Sequence, residues 1–189
     1  NQFDDCKTNI APVVSSLHGS WLGEKDGLVT AAKQKEAAVW ANPNDLAILL
    51  TAKRYAKFEN AAIRNSNVCV ANSEATKIDF LERYSAPENW DCEVIHWGVD
   101  TDMFTPAESF DQTLRMRFGC SDNGILLLAV GRLAARKGYG SLLKAFAIVN
   151  SECPESRLVI VGRGHLRTRL LKQAKKLGLS SSVHIESSM

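Results

Sequence analysis

Short apolar runs alternate with helical patterns along this chain, and that alternation restricts the fold more than any other feature of the sequence. In the second half, apolar runs at 125–130, 158–161 and 183–185 predict strands, and amphipathic patterns at 141–150 and 166–177 predict helices between them. A β-α-β-α-β order favours a parallel sheet with helical crossovers. We therefore predict that this half forms part of a doubly wound α/β domain.

The first half repeats the same alternation. Its strands are predicted at 13–17, 68–71 and 93–96, and its helices at about 28–40, 45–64 and 74–84. We expect Asn44 or Asp45 to cap the start of the second of these helices and Asn72-Ser73 to cap the third. In the second half, Gly178 is placed where a left-handed residue ends a helix.

A domain boundary is predicted near Pro106, because proline after a strand is a poor continuation of the pattern. This divides the chain into two α/β domains, 1–105 and 106–189. The chain begins with Asn1 rather than methionine and stops at Met189, just after a predicted strand. We therefore expect it to be a piece of a larger protein in which both sheets continue.

The composition argues against several classes of partner. The 189 residues are 45% hydrophobic, and the net charge of +2 is too small to indicate a nucleic-acid partner. No apolar run approaches the ~20 residues of a membrane span, and no basic-then-apolar signal segment stands at the start. The five cysteines form no Cys-x-x-Cys pair, which favours a reduced, cytoplasmic chain without a metal site.

The strongest candidate site is the loop that follows the strand at 125–130. This loop carries Gly131, Arg132, Lys137 and Gly138. Open α/β sheets bind ligands at the carboxyl ends of their strands. A guanidinium that grips oxygens bidentately, with an ammonium as a mobile point charge, suits a diphosphate. Fixed cations also stabilise the negative charge of a departing nucleoside diphosphate. The alternative interpretation is a solvated basic loop.

A second glycine turn follows the strand at 158–161. Gly162 and Gly164 would let backbone approach a ligand near a helix N-terminus, where anions are favoured. The pattern is not a dinucleotide fingerprint, because Arg167 stands at the third glycine position. A tight turn between strand and helix explains the two glycines equally well.

Two further features have a functional and a structural interpretation. His18 follows a predicted strand, so its imidazole can hydrogen-bond a sugar hydroxyl or a reacting group, or it can be a satisfied structural histidine. The basic residues Lys172, Lys175 and Lys176 are typical of a solvated helix face, and the alternative is a patch that contacts a membrane surface.

Five segments together resemble the retaining, two-domain glycosyltransferases of the family 4 type. Residues 94–106 are similar to the interdomain segment of that family, and residues 130–138 to its donor diphosphate loop. Residues 158–164 resemble the strand and turn that follow this loop. Residues 12–19 are similar to a strand ending in an active-site histidine, and residues 59–73 to the stretch before a Val-x-x-Ser strand end.

The resemblance implies a GT-B fold, with two Rossmann-like doubly wound parallel-sheet domains that are both incomplete in this chain. Residues 1–105 would be the later part of the acceptor domain, and residues 106–189 the first half of the nucleotide-sugar donor domain. The implied activity is transfer of a sugar from a nucleotide diphosphate to a glycan, lipid or small-molecule acceptor, with retained configuration. No metal or other cofactor is implied. The cysteine pattern predicts a cytoplasmic protein, and the basic face with Lys172, Lys175 and Lys176 leaves peripheral contact with a membrane surface as an alternative.

The resemblance also assigns roles to the candidate residues. His18 would be catalytic and lie near the transferred sugar. The donor diphosphate would be bound by Gly131, Arg132 and Lys137. The loop with Gly162 and Gly164 would lie on the nucleotide side of the donor.

The sequence departs from the family pattern in three places. His96-Trp97 stands where the family usually has Pro-Asn, and Ser187 where it tends to have glycine. The acidic Glu-x7-Glu motif that contacts the donor sugar is not within the 189 residues, so the chain alone is expected to be inactive. Two alternatives stay open, a GT-B nucleotide-sugar epimerase, which would need extra carboxylates, and a non-catalytic sugar-nucleotide-binding or scaffold protein.

Overall fold

The structure is a computed structural model that describes residues 11–36, 39–106, 109 and 111–188. The chain divides into two units, the first made of Asn1–Val29 with Trp40–Thr105 and the second of Thr30–Val39 with Pro106–Met189. Each unit contains one three-stranded parallel sheet. In the described part of the chain, the helices are all too short or too polar to span a membrane.

The sheet of the first unit has the strand order β1-β2-β3. Its strands are β1 (Val14–Leu17), β2 (Val68–Ala71) and β3 (Cys92–Val94). Helices α1 (Trp21–Lys33) and α2 (Pro43–Asn65) lie between β1 and β2 in the chain, and helix α3 (Glu74–Arg83) lies between β2 and β3. The register pairs Leu17 with Ala71 and Ala71 with Val94, so all three strands end at the same edge. The core beneath the sheet is formed by Leu17, Ala56, Ile63, Cys69, Ala71, Phe80, Tyr84 and Cys92.

Two of the predicted helix starts in this unit are wrong. The helix predicted at about 28–40 is α1, which begins at Trp21, because the Ser20 hydroxyl caps its first turn by accepting from the backbone N–H of Gly23 at 2.9 Å. Its predicted end is also wrong, since α1 ends at Lys33 and Val39–Ala41 forms a separate 3-10 helix. The cap of α2 is Asn42, not Asn44 or Asp45, since its side chain accepts from the backbone N–H groups of those two residues. Proline at the first helical position suits this arrangement.

Other local predictions are confirmed. The side chain of Ser73 accepts a hydrogen bond from the backbone N–H of Thr76 and caps α3, as predicted. Gly178 adopts a φ of +74° just after the last helix, the left-handed conformation that glycine tolerates best. These signals are read correctly from sequence because each depends on only a few neighbouring residues.

The second unit has a parallel sheet in the order β4-β5-β6. Its strands are β4 (Leu126–Val130), β5 (Arg157–Val161) and β6 (Val183–Glu186), and its helices are α4 (Gln112–Arg117), α5 (Tyr139–Glu152) and α6 (Arg167–Lys176). The central strand β5 and the inner faces of α5 and α6 supply much of its core, including Leu143, Phe146, Leu158, Ile160 and Leu170. The predicted β-α-β-α-β order of this half is confirmed.

Strand β4 is not the buried strand that its apolar run predicts. Leu128 is 62% exposed and Val130 is 72% exposed. Within the described residues, β4 pairs only with β5 and forms the edge of the sheet. An apolar run predicts burial from composition alone, whereas the exposure of an edge strand depends on what lies beside it.

Four of the five cysteines lie in the described residues, and all four are free. Cys69, Cys92 and Cys120 are buried and Cys153 is exposed, whereas Cys6 lies outside the described residues. Burial raises the pKa of the Cys69 and Cys92 thiols above the ordinary value of 9.0. These two thiols are therefore poor nucleophiles and act as small apolar core residues.

Candidate functional site

The loop after β4, residues 131–138, is held in place by its own backbone. The N–H of Gly131 donates to the carbonyl of Val161 at 3.0 Å, and the N–H of Leu133 donates to the carbonyl of Arg163 at 2.9 Å. These bonds join the loop after β4 to the turn after β5. Paired backbone groups on both segments therefore help to hold the loop in place.

Two cations of this loop, Arg132 and Lys137, are exposed to solvent. In the described part of the chain, neither the Arg132 guanidinium nor the Lys137 ammonium takes part in a hydrogen bond or an ion pair. Lys137 ends a short 3-10 helix, and Gly138 follows it with a φ of +67° and turns the chain into α5. The structure thus keeps both cations on one rigid loop at the carboxyl end of a strand, where an anion can bind them.

Gly162 and Gly164 lie against the same loop, for a packing reason. A Cβ atom on Gly162 would lie 1.9 Å from the carbonyl oxygen of Gly131, and one on Gly164 would lie 2.4 Å from that of Leu133. Gly164 also has a φ of +158°. The tight turn between strand and helix therefore accounts for both glycines, and their contact with a nucleotide stays a prediction.

Tyr139 is a residue of this loop region that sequence reasoning missed. It begins α5, is 5% exposed, and its hydroxyl oxygen would lie 3.0 Å from a Cβ atom on Gly131. Burial raises the pKa of its phenol, so the hydroxyl stays protonated at neutral pH. An aromatic residue directly after Gly138 was the only signal in the sequence.

In the first unit, the candidate residue His18 lies where β1 ends. It is exposed, and its Nε2 atom lies 3.2 Å from the hydroxyl of Ser16. Because β1, β2 and β3 end together, the residues that follow these strands share this edge of the sheet. Consistent with this, the Nδ1 atom of His96 lies 3.3 Å from the backbone carbonyl of Asn72.

The structure brings His18 together with Trp97, a contact that was not expected from the sequence. Their ring centroids are 5.2 Å apart and the ring planes are tilted by 47°. Trp97 is 70% exposed, so one face of the indole remains open to solvent. The signal in the sequence was an aromatic residue at a position where the resembled family usually has asparagine.

Neither candidate site contains a recognisable metal centre in the residues that the structure describes. No three histidine, cysteine, aspartate or glutamate side chains converge there as metal ligands. Of these two candidate sites, the loop at 131–138 is the one whose cations could bind an anionic ligand. The loop in the second unit can therefore bind an anion, and His18 in the first unit can form a hydrogen bond beside the exposed ring of Trp97.

Comparison with known proteins shows what the second unit is similar to. Residues 111–188 match the family described as glycosyl transferases group 1. Over 86 residues the chain is 34% identical to a GDP-mannose-dependent alpha-(1-6)-phosphatidylinositol monomannoside mannosyltransferase of Mycolicibacterium smegmatis. That match covers 46% of this chain and 22% of the relative, so the chain spans about a fifth of the relative's length.

Solved glycosyltransferase structures share the fold. The chain is similar to WaaG, a glycosyltransferase involved in lipopolysaccharide biosynthesis, with a TM-score of 0.63 and 21% identity over 96% of this chain and 47% of that one. It is also similar to HepE of Anabaena in complex with UDP and glucose, with a TM-score of 0.60 and 22% identity over 92% of this chain and 41% of that one. The predicted GT-B type of α/β fold is confirmed.

Proposed function

We propose, because residues 111–188 match the family described as glycosyl transferases group 1, that the complete protein containing this chain transfers a sugar from a nucleotide diphosphate to an acceptor. The observation that carries the proposal is the loop at 131–138. Within the segment of family similarity, it presents two exposed cations, unpaired among the described residues, at the carboxyl end of β4. Two similar proteins support a donor of this class, since one is GDP-mannose-dependent and another was solved in complex with UDP.

Arg132 and Lys137 bind the diphosphate of the donor in this proposal. The Arg132 guanidinium grips two oxygens at once, and the Lys137 ammonium adjusts its position as charge grows on the leaving nucleoside diphosphate. Both cations stabilise that developing charge, so the reaction needs neither a metal ion nor another cofactor. Gly131 gives the backbone room beside the phosphates, and Gly162 and Gly164 lie on the nucleotide side.

His18 acts on the sugar side. The His18 imidazole at the end of β1 hydrogen-bonds a hydroxyl of the transferred sugar and orients it. The open face of Trp97 lies beside this imidazole and offers an apolar surface on which a sugar ring can stack. As the family resemblance implies, the first unit also holds the acceptor, which is a glycan, a lipid or a small molecule, and the second unit holds the donor.

The finer points of the proposal are stereochemistry and location. Transfer proceeds with retention of the anomeric configuration, as in the family 4 enzymes that residues 94–106 and 130–138 resemble. The protein works in the cytoplasm at the membrane surface, where lipid acceptors are available. Neither the net charge of +2 nor the site calls for a nucleic acid.

The test is sugar transfer by the complete protein. Incubation with UDP- and GDP-sugars and a panel of acceptors, followed by NMR of the product, reports activity and anomeric configuration together. We expect transfer with retention that fails when Arg132 is replaced by alanine. An absence of transfer with every donor, or transfer that is unchanged in Arg132→Ala, would contradict the proposal. The 189-residue chain by itself is expected to be inactive.

A further inference from the structure

A cavity with a volume of about 790 Å³ lies between α5 and α6 in the second unit. We call it the α5–α6 pocket. Its walls carry Lys144 of α5, Arg169, Lys172 and Lys176 of α6, and Lys35 and Glu36 from residues 30–39 of the same unit. Neither Arg132 nor Lys137 lines it. The pocket is therefore separate from the proposed donor loop, and a ligand bound in it would be independent of the proposed function.

The basic residues of α6 converge on this pocket because of their spacing. Arg169, Lys172 and Lys176 follow one another at intervals of three and four residues, which places them on one face of a helix. Like charges four residues apart, such as Lys172 and Lys176, repel each other and destabilise a helix. The arrangement thus costs stability in the free protein, and that cost is relieved when an anion binds between the charges.

The described residues do not neutralise this cluster. Lys144, Lys172 and Lys176 make no ion pair within the parts of the chain that the structure describes, although Arg83 and Arg117 pair with carboxylates elsewhere. Five lining residues carry a full positive charge, against one carboxylate. The excess of positive charge is therefore a local property of the pocket and not of the chain, whose net charge is only +2.

The single carboxylate of the pocket already has partners. Glu36 is 5% exposed and accepts a hydrogen bond from the hydroxyl of Ser141 in the first turn of α5. Negative charge is favoured at a helix N-terminus, so the Glu36 carboxylate stabilises the start of α5. Arg169 is fixed on the other side, because its guanidinium donates to the backbone carbonyl of Lys35 at 2.9 Å. The lysines remain available for a ligand.

We propose that the α5–α6 pocket binds a ligand that carries clustered phosphate groups. Several lysine ammonium groups and the guanidinium of Arg169 can bind a ligand whose many charged oxygens point in different directions. A volume of about 790 Å³ is in the range of small-molecule sites and accommodates several phosphates. Such chemistry occurs in a free polyphosphorylated solute and in the headgroups of an anionic lipid surface.

The experiment measures both sources with the 189-residue chain. Calorimetric titration with inositol hexakisphosphate tests a soluble ligand, and co-sedimentation with phosphatidylcholine vesicles containing phosphatidylglycerol tests a lipid surface. The variant Lys172→Gln/Lys176→Gln is compared with Lys53→Gln/Lys57→Gln, which removes the same charge from exposed positions on α2. Circular dichroism checks that both variants remain folded.

We expect the native chain to bind at least one probe, with an affinity that falls as salt is added. The pocket variant should weaken that binding by roughly 25-fold, about fivefold for each lysine, and the α2 variant should leave it nearly unchanged. Binding of only the soluble probe assigns the pocket to a phosphorylated solute, and binding of only the vesicles assigns it to lipid headgroups. Binding of neither probe, or equal losses in both variants, would overturn the proposal. So would binding that Arg132→Ala abolishes while the pocket variant keeps it.

Discussion

A Cβ atom on Gly162 would lie 1.9 Å from the carbonyl oxygen of Gly131, so the turn after β5 and the loop after β4 touch through their backbones. No side chain fits at residue 162 unless one of the two segments moves. The loop with the proposed donor cations therefore depends on a glycine that comes much later in the chain. The contact connects the stability of the second unit to the position of Arg132.

Replacing Gly162 by alanine should destabilise the second unit by about 2–3 kcal/mol, because overpacking against backbone cannot be relieved by rotating a side chain. The free energy of unfolding from urea titration measures this change. Gly98→Ala is the matched control, since nothing lies within 4 Å of a Cβ atom there. Equal stability of the two variants would show that the turn and the loop separate easily.

Removing either donor cation should reduce turnover of the complete protein. We expect Arg132→Ala and Lys137→Ala each to lower kcat by roughly 10²-fold, the scale for losing one preorganised group that stabilises developing charge. Lys53→Ala, an exposed lysine on α2, should have no effect. Steady-state kinetics with the cognate donor decides this, and native turnover in both loop variants would exclude their assignment to the diphosphate.

His18→Ala should affect chemistry more than donor affinity. The imidazole acts on the sugar, whereas the diphosphate is bound in the second unit, so kcat should fall by roughly 10²-fold while the Kd of the nucleoside diphosphate stays nearly constant. Kinetics and calorimetry of the same variant separate the two effects. A large loss of nucleotide affinity with unchanged kcat would contradict this role.

Trp97→Ala should weaken acceptor binding. Stacking on one aromatic ring contributes about 0.5–1.5 kcal/mol, so its loss should raise the acceptor KM by roughly two- to tenfold. Trp97→Phe keeps an aromatic ring and should recover part of the lost acceptor affinity. Trp40→Ala is the control, because Trp40 is exposed to the same degree, 69% against 70%. If both alanine variants raise KM equally, the open indole beside His18 has no special role.

The stability of the first unit should fall in alkaline solution because of Tyr84. Burial, followed by a hydrogen bond to Glu59, raises the pKa of its phenol above the ordinary value of 10.0. The contribution of this phenol to the free energy of unfolding is fully present below about pH 10. It is lost as the pH rises further, because Tyr84 ionises in the unfolded chain but stays protonated in the folded chain.

Urea unfolding from about pH 8 to about pH 11 measures this loss. The decline in the free energy of unfolding should be shallower in Tyr84→Phe, which has no phenol at this position. Tyr55→Phe, which removes an exposed hydroxyl, should keep the native slope. An identical slope in Tyr84→Phe and the native chain would refute the assignment to Tyr84.

Sequence patterns alone predicted the presence and order of the strands and most helices, the parallel arrangement of both sheets and the position of the loop with Arg132 and Lys137. Apolar runs of four or five residues identify strands, and the Ser73 cap and the left-handed Gly178 depend on neighbouring residues only. A ligand loop after a parallel strand follows from the order of elements. All of these are properties of local chemistry or of element order.

The exposure of β4, the need for glycine at position 162 and the contact between His18 and Trp97 became visible only in the folded chain. The side chain of Val130 is exposed because its strand forms the edge of a sheet among the described residues, which no apolar pattern reveals. Likewise, His18 and Trp97 are distant along the chain, but their ring centroids lie 5.2 Å apart because β1 and β3 end at the same edge of the sheet. Such proximity arises from strand register and packing, which depend on the whole unit, whereas the sequence pattern reports each segment separately.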